Sequence, residues 1–231
     1  MEYMFMETIF YAGDSTVTFN KFNKYPQTGL SQALLLYVKD SVTVKSLAKN
    51  GRSTKSFLEE GLLKPAEERM KKGDFLFIQF GHNDEKEDPM RHTDPDTTFQ
   101  DNLRYFIKAA KDRGAYPVLI TPIARRHFGE DGKFLPGSHG EYPAAVKKTG
   151  REEGVPVIDL TTITERYLAE AGDMASKAYF MWPGDNTHLK PEGAVLFAGF
   201  LCRELKKLGS PYADVIFEDK EPEENKGLDV S

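Results

Sequence analysis

A three-layer α/β/α sandwich around a five-stranded parallel sheet is the fold this sequence predicts. Three observations lead to it. Five apolar runs of strand length alternate with segments whose apolar residues recur at helical spacing. A chain of 231 residues suits one α/β domain, which buries roughly 70–75% of the surface its unfolded chain exposes. The composition, 39% hydrophobic and 29% charged with one cysteine, excludes a membrane bundle, a collagen-like chain and a disulfide scaffold. Sixteen phenylalanines and ten tyrosines argue against global disorder.

The elements follow in order. Thr8–Ala12 reads as the first strand. Leu30–Val38 reads as a helix entered after Pro26 and Gly29, and Val42–Leu47 as the second strand. Ser53–Lys72 reads as one or two short helices broken near Gly61 and Pro65. Asp74–Phe80 is a continuous apolar run, the mark of a buried strand. From Phe99 to Arg113, apolar residues at 99, 103, 106, 107 and 110 give a helix, and Gly114 stops it. Tyr116–Thr121 and Val155–Leu160 are the last two strands; Ala144–Glu153, Thr161–Ala171 and Pro191–Leu208 are helices. No repeat or low-complexity linker interrupts the chain, whose two long loops run over 81–97 and 122–139.

The formal charge of −5 is confined to one end. The last twenty residues, Tyr212 to Ser231, carry seven acids and two lysines, so the body is neutral. The organisation expected is one domain over 1–211 and an acidic tail over 212–231, a solvated end. A neutral body offers no basic field to nucleic acid or anionic lipid. Cys202 sits in an apolar helical pattern with Ala198, Leu201 and Leu205, which makes it a buried inert thiol rather than a nucleophile. Met1–Met4 shows no basic and apolar leader, and no run approaches 18 apolar residues. A cytoplasmic protein without a membrane span is the expectation.

Ligands of parallel sheets gather at the carboxyl ends of the strands, so the chemistry is sought there. After the first strand comes Gly13-Asp14-Ser15-Thr16, where a serine on a sharp turn projects into the cleft. The same four residues also fit an Asx-turn or a helix cap, and the α/β-hydrolase elbow Gly-x-Ser-x-Gly is absent. After the second strand comes Asn50-Gly51-Arg52-Ser53, an ordinary turn or an unobstructed Gly51 N–H. After the third comes Gly81-His82-Asn83-Asp84, where Asn83 is a turn residue or an amide donor. Asp185-Asn186-Thr187-His188 precedes Pro191. A spacing of three lets Asp185 hold His188 Nδ1–H and leave Nε2 as a base, or else forms a helix-entry cap. Together these pieces supply what acyl transfer needs: a hydroxyl nucleophile, an oriented base and two amide donors.

The four pieces, in this order, resemble the SGNH (GDSL-type) hydrolase superfamily, its letters falling on Ser15, Gly51, Asn83 and His188. The likeness spans roughly Thr8 to Leu208. Longer phrases are similar to the rhamnogalacturonan acetylesterases: Ala12-Gly-Asp-Ser-Thr16, Ala48-Lys-Asn-Gly-Arg-Ser53, Ile78-Gln-Phe-Gly-His-Asn-Asp84, Ile120-Thr-Pro122, Arg125-Arg126, His139-Gly-Glu-Tyr-Pro143 and Asp185-Asn-Thr-His188. Thr16 departs from the Gly-Asp-Ser-Leu of lipase-type members and favours the carbohydrate-esterase branch. The resemblance implies a flavodoxin-like fold and a serine esterase that removes acetyl groups from a pectic sugar backbone, with no metal or other cofactor. It places Ser15 as nucleophile, His188 as base and Asp185 as its orienter. Ser15 N–H, Gly51 N–H and the Asn83 side chain would form the oxyanion hole, with Asp14 and Asp84 holding loops.

His82, His92, His127 and His139 show no zinc-ligand spacing, and His82 is expected to brace the Asn83 loop. Ser53, Thr16 and Thr121 are rival hydroxyls without the strand-end setting of Ser15. Trp182 is read either as a sugar-stacking ring or as a packing residue. Arg125, Arg126 and Tyr142 are candidates to meet an acidic sugar, the arginines alternatively forming a solvated surface pair. The partner expected is an acetylated, pectin-derived oligosaccharide rather than polymer; acetylxylan-type, lysophospholipase or thioesterase activity, and a non-enzymatic sugar-binding module, are the alternatives. An acyl channel for long chains would be apolar, whereas Glu85 to Asp96 is polar and charged. The sequence leaves the oligomeric state open.

Overall fold

The computed structural model describes residues 7–217. Its strands are β1 (Thr8–Gly13), β2 (Thr43–Ser46), β3 (Phe75–Gln79), β4 (Tyr116–Ile120) and β5 (Val157–Ile158). They form one parallel sheet in the order β2-β1-β3-β4-β5, with Ile9 opposite Val44 on one side and Phe75 on the other. Side chains alternate across a strand. Ile9, Tyr11, Phe75, Phe77, Val118 and Ile120 therefore enter one core, and Phe10, Ala12, Leu76, Ile78 and Leu119 the other. Burial on both faces is why these strands read as unbroken apolar runs.

The first face is covered by α1 (Leu30–Ala33), α6 (Leu160–Ser176) and α7 (Pro191–Lys207). The second is covered by α2 (Thr54–Glu59), α3 (Lys64–Arg69), α4 (Thr98–Lys111) and α5 (Tyr142–Glu153). The expected α/β/α sandwich is thus the observed one. Local chemistry sets the helix ends. Ser53 and Ser56 cap α2 reciprocally through side chain and backbone. Pro191 occupies the first turn of α7, where its missing N–H costs nothing. The α4 stripe of Phe99, Leu103, Phe106, Ile107 and Ala110 is buried. Among the described residues no helix is long and apolar enough to cross a membrane.

Most bounds shift by a residue or two, and three elements depart further from expectation in kind or extent. Leu30–Val38 is not one helix: after α1 the chain tightens into a 3₁₀ turn at Leu34–Leu36, and Val38 leaves to pair antiparallel with Ile216. The fifth strand keeps only two residues because the Asp159 side chain accepts from Thr162 N–H and starts α6 there. Helix α6 runs on past Ala171 through a break at Gly172. The segment expected to be a solvated tail begins as packed chain: Tyr212 meets Phe75 and Tyr116 edge-on, and Val215 and Ile216 are buried. The rest of that acidic segment, and Met1–Met4, lie outside the described residues.

The strand order fixes where a site can form. From β1 the chain steps to β2 on one side, then returns across to β3 on the other. The loops leaving β1 and β3 therefore diverge and open a crevice at their carboxyl ends. Ser15 follows β1 and Asn83 follows β3, one on each lip.

Candidate active site

Gly13 ends β1 at a close approach: a Cβ there would stand 2.6 Å from Val17 Cγ2 and 2.9 Å from the Gln79 carbonyl. The chain then turns. Asp14 Oδ1 accepts from Thr16 N–H at 2.9 Å and Thr16 Oγ1 at 2.8 Å, and the Asp14 carbonyl accepts from Val17 and Thr18 N–H at 3.1 Å. Ser15 rides on this turn, 8% exposed.

His188 reaches Ser15 from the far end of the chain. It stands just before α7 in a short antiparallel pairing: Phe180 bridges Leu189, and Met181 N–H donates to the His188 carbonyl at 2.9 Å. Its Nε2 is 2.8 Å from Ser15 Oγ and its Nδ1 2.6 Å from Asp185 Oδ2. A carboxylate accepts only, so Nδ1 carries the proton and Nε2 presents its lone pair to the serine hydroxyl. Asp185 is itself fixed, its Oδ1 accepting from Thr187 and His188 N–H at 2.9 Å each. Burial raises its pKa, but these N–H donors and the His188 ring outweigh it and hold the carboxyl below its ordinary range. Arg126 supports the loop, its N–H donating to the Asn186 carbonyl at 2.8 Å.

Two more loops complete the crevice. Gly51 turns with φ +78°, a conformation other residues avoid, and a Cβ there would meet open space. Neither Ser15 N–H nor Gly51 N–H has an acceptor among the described residues. The Asn83 amide is clamped: Nδ2 donates to the Arg52 carbonyl at 3.1 Å, and Oδ1 accepts from Arg91 Nη1 at 3.3 Å. That leaves its second Nδ2 hydrogen free. Asp84 ties this loop to α2, its Oδ1 accepting from Thr54 N–H, Thr54 Oγ1 and Thr93 Oγ1. Arg91, held by Asp88 at 2.7 Å, is the contact that sequence reasoning missed. It stands in a charged loop eight residues beyond Asn83, and no local pattern marks it.

The model of the GDSL-like Lipase/Acylhydrolase family matches residues 11–196, from within β1 to within α7. The chain belongs to this family. Carboxylic ester hydrolysis, the reaction class expected from the sequence, is the family's class. Among curated family members, rhamnogalacturonan acetylesterase RhgT of Bacillus subtilis is 39% identical over 218 residues, covering 89% of this chain and 92% of the relative. Probable rhamnogalacturonan acetylesterase YesY of the same organism is 37% identical over 217 residues, covering 92% and 98%. The solved structure of protein YXIM of B. subtilis superposes with a TM-score of 0.79 at 28% identity, over 89% of this chain and 57% of that one. A catalytic mutant of Axe2, an acetylxylan esterase from Geobacillus stearothermophilus, shares the fold with a TM-score of 0.64 at 17% identity, over 86% and 93%.

Three candidate substrate residues are engaged in contacts within the protein. Tyr142 is buried, and its hydroxyl donates to the Asp84 and Thr93 carbonyls. Arg126 is buried too, paired with Asp173 and hydrogen-bonded to Ser176 Oγ at 3.1 Å. Arg125 pairs with Glu85 and donates to the Ser138 carbonyl at 3.1 Å. Neither arginine forms the solvated pair that was the alternative: each guanidinium is occupied within the protein. Trp182, three residues before Asp185, is 39% exposed, with the Arg126 guanidinium 4.6 Å from its ring centre. Cys202 is buried, as its helical pattern implied, and burial pushes its thiol far above the titration range of a nucleophile.

Beneath Ser15 lies a buried polar cluster. His82 Nδ1 is 3.5 Å from Asp14 Oδ2, and its ring lies edge-on to His139 at 4.4 Å between centroids. His139 Nε2–H donates to the Ile123 carbonyl at 2.8 Å, and Nδ1 faces Glu85 Oε2 at 3.0 Å. Burial first, then the charge of His139, lowers the His82 pKa to about 4. An unfolded chain takes a proton here near 6.5, while the folded chain refuses it down to about 4. His82 therefore removes stability as pH falls through that window, on the order of 1.4 kcal/mol per pH unit at most. Asp84 works the other way: burial pushes its carboxyl up to about 7, so its contribution is present below 3.8 and is lost as pH rises toward 7. Replacing His82 isolates one of the two opposed responses. His82→Gln is expected to gain in melting temperature relative to the native chain on going from about pH 7.5 to about pH 4.5. A difference that stays constant across that range would remove His82 from the acid response.

Proposed function

We propose that the protein is a serine acetylesterase acting on rhamnogalacturonan-derived oligosaccharides. The observation that carries the mechanism is the continuous Asp185–His188–Ser15 hydrogen-bond chain, 2.6 and 2.8 Å, ending at two free backbone amides and a clamped Asn83. The substrate rests on the two curated relatives, whose names give the pectic backbone and the acetyl group.

In this reading Ser15 Oγ attacks the acetyl carbonyl carbon while its proton passes to His188 Nε2. Asp185 keeps the tautomer that leaves Nε2 free, then stabilises the imidazolium. The carbonyl oxygen becomes an oxyanion among Ser15 N–H, Gly51 N–H and Asn83 Nδ2–H. The C–O bond to the sugar breaks, His188 returns its proton to the departing sugar oxygen, and an acetyl-serine remains. Water, deprotonated by the same Nε2, repeats the attack and releases acetate. Every proton moves through one imidazole nitrogen.

Acetate release from acetylated rhamnogalacturonan oligosaccharides, with acetylated xylooligosaccharides and octanoyl esters alongside, tests the reading. Fast release from the first alone is expected. Equal release from both sugars would discard the named substrate and keep the esterase. A clear preference for octanoyl esters would overturn the carbohydrate assignment.

A further inference from the structure

We infer that the segment from Phe19 to Tyr25 is an accessory binding arm for an oligosaccharide bearing uronic acids, beside the ester-cleaving centre. The inference rests on the proposed substrate class for its ligand, and on separate residues for its site. Three aromatic side chains stand exposed within seven residues: Phe19 at 49%, Phe22 at 92% and Tyr25 at 70%. Rings of this size ordinarily bury most of their surface, so three together in water mark a contact surface.

The arm is shaped, and it belongs to the crevice. Phe22–Lys24 forms a 3₁₀ turn, with Tyr25 N–H donating to the Phe22 carbonyl at 3.1 Å and Gln27 N–H to the Lys24 carbonyl at 2.9 Å. At its start, Phe19 N–H donates to Ser46 Oγ at 3.3 Å at the end of β2, and Asn50 Nδ2 donates to Asn20 Oδ1 at 3.4 Å. Asn50 is the neighbour of Gly51. At its end, Thr28 N–H donates to the Leu189 carbonyl at 2.9 Å, and Leu189 follows His188. The arm thus spans from the oxyanion side of the site to its histidine side.

Its charge selects the occupant. From Val17 to Val38 the chain holds two lysines, Lys21 and Lys24, and no acid, in a protein of net charge −5. Both lysines are exposed, and neither has an ion-pair partner among the described residues. Flat aromatic faces suit the C–H faces of sugar rings, and mobile ammonium groups suit carboxylates spaced along a chain. A uronate-bearing oligosaccharide supplies both.

The test uses the whole chain and two variants, Phe22→Ala/Tyr25→Ala and Lys21→Gln/Lys24→Gln. The first is expected to raise KM for acetylated rhamnogalacturonan oligosaccharides roughly tenfold with kcat little changed, from the loss of two aromatic contacts. The second is expected to raise KM roughly threefold at low salt, an effect that vanishes in high salt and with carboxyl-reduced oligosaccharide. An aryl acetate, which has no sugar chain and no uronate, reports on the ester centre. Calorimetric binding of the deacetylated oligosaccharide reads the arm without turnover. Binding that the variants lose, with no acetate released from the acetylated form, would sink the substrate reading and keep the arm. An unchanged KM and unchanged binding would overturn the arm. So would equal losses on the aryl acetate, or a solution dimer abolished by Phe22→Ala/Tyr25→Ala with oligosaccharide kinetics untouched.

Discussion

Ser15→Ala is expected to lower kcat for acetyl-ester hydrolysis roughly 10⁴–10⁶-fold, with KM and the melting temperature close to those of the native chain. Among the described residues the hydroxyl has one hydrogen-bond partner, His188 Nε2, so its loss leaves the turn built by Asp14 and Thr16 in place. What disappears is the atom proposed to form the bond to the acetyl carbon. His188→Ala is expected to cost a comparable factor, because an unassisted serine hydroxyl is a poor nucleophile. Groups that act as one unit lose their effect once, so the double variant falls little further than either single one. Acetate release under single-turnover conditions measures this. More than a tenth of the native rate in Ser15→Ala would remove Ser15 from the proposed role, and a double variant falling by the product of the single losses would separate the two residues.

Asn83→Ala is expected to lower kcat roughly 10²–10³-fold, the usual cost of one oxyanion donor. Its amide carries three jobs that the structure separates. One Nδ2 hydrogen goes to the Arg52 carbonyl, Oδ1 takes Arg91, and the remaining hydrogen is the donor proposed for the oxyanion. Alanine deletes all three, so a loss of stability accompanies the loss of rate. Arg91→Met tests the clamp by itself: it leaves the donor but frees the side that fixes its direction, and a smaller fall in kcat, within about tenfold, is expected. The carboxylate of Asn83→Asp cannot donate, and it sets a negative charge beside the developing oxyanion, so this variant is expected to be at least as slow as Asn83→Ala. Activity in Asn83→Asp close to the native rate would exclude Asn83 as an oxyanion donor.

Much of this molecule is local. The strands are apolar on both sides because both faces of the sheet are covered, and that pattern is visible one residue at a time, as in Phe75–Gln79. Helix starts and stops at Ser53, Pro191 and Gly114 are chemical properties of those residues. The site motifs are short because each lies in one loop after one strand. Even the Asp185–His188 contact is local, since three residues of chain bring the two side chains together.

What the sequence could not contain is any contact whose partners are far apart in the chain. Ser15 and His188 are 173 residues apart, and they meet because β1 ends next to the pairing of Phe180 with Leu189. The same limit hid the surroundings of Arg126 and Tyr142, which only the fold shows to be Asp173 for the first and the Asp84 and Thr93 carbonyls for the second. It hid Arg91 on Asn83 and His82 on Asp14, pairs with no spacing rule to reveal them. It also hid the exposure of Phe22 and Tyr25, which are apolar by composition and face water because the Asn20 and Thr28 anchors hold the segment outside the core. Residue type and spacing determined the layers and the loop chemistry, and the resemblance of the loop motifs pointed to the family. The packing of distant segments decided which polar groups are buried, which amides stay free and which aromatics are left exposed, because burial is a property of neighbours and not of the residue itself.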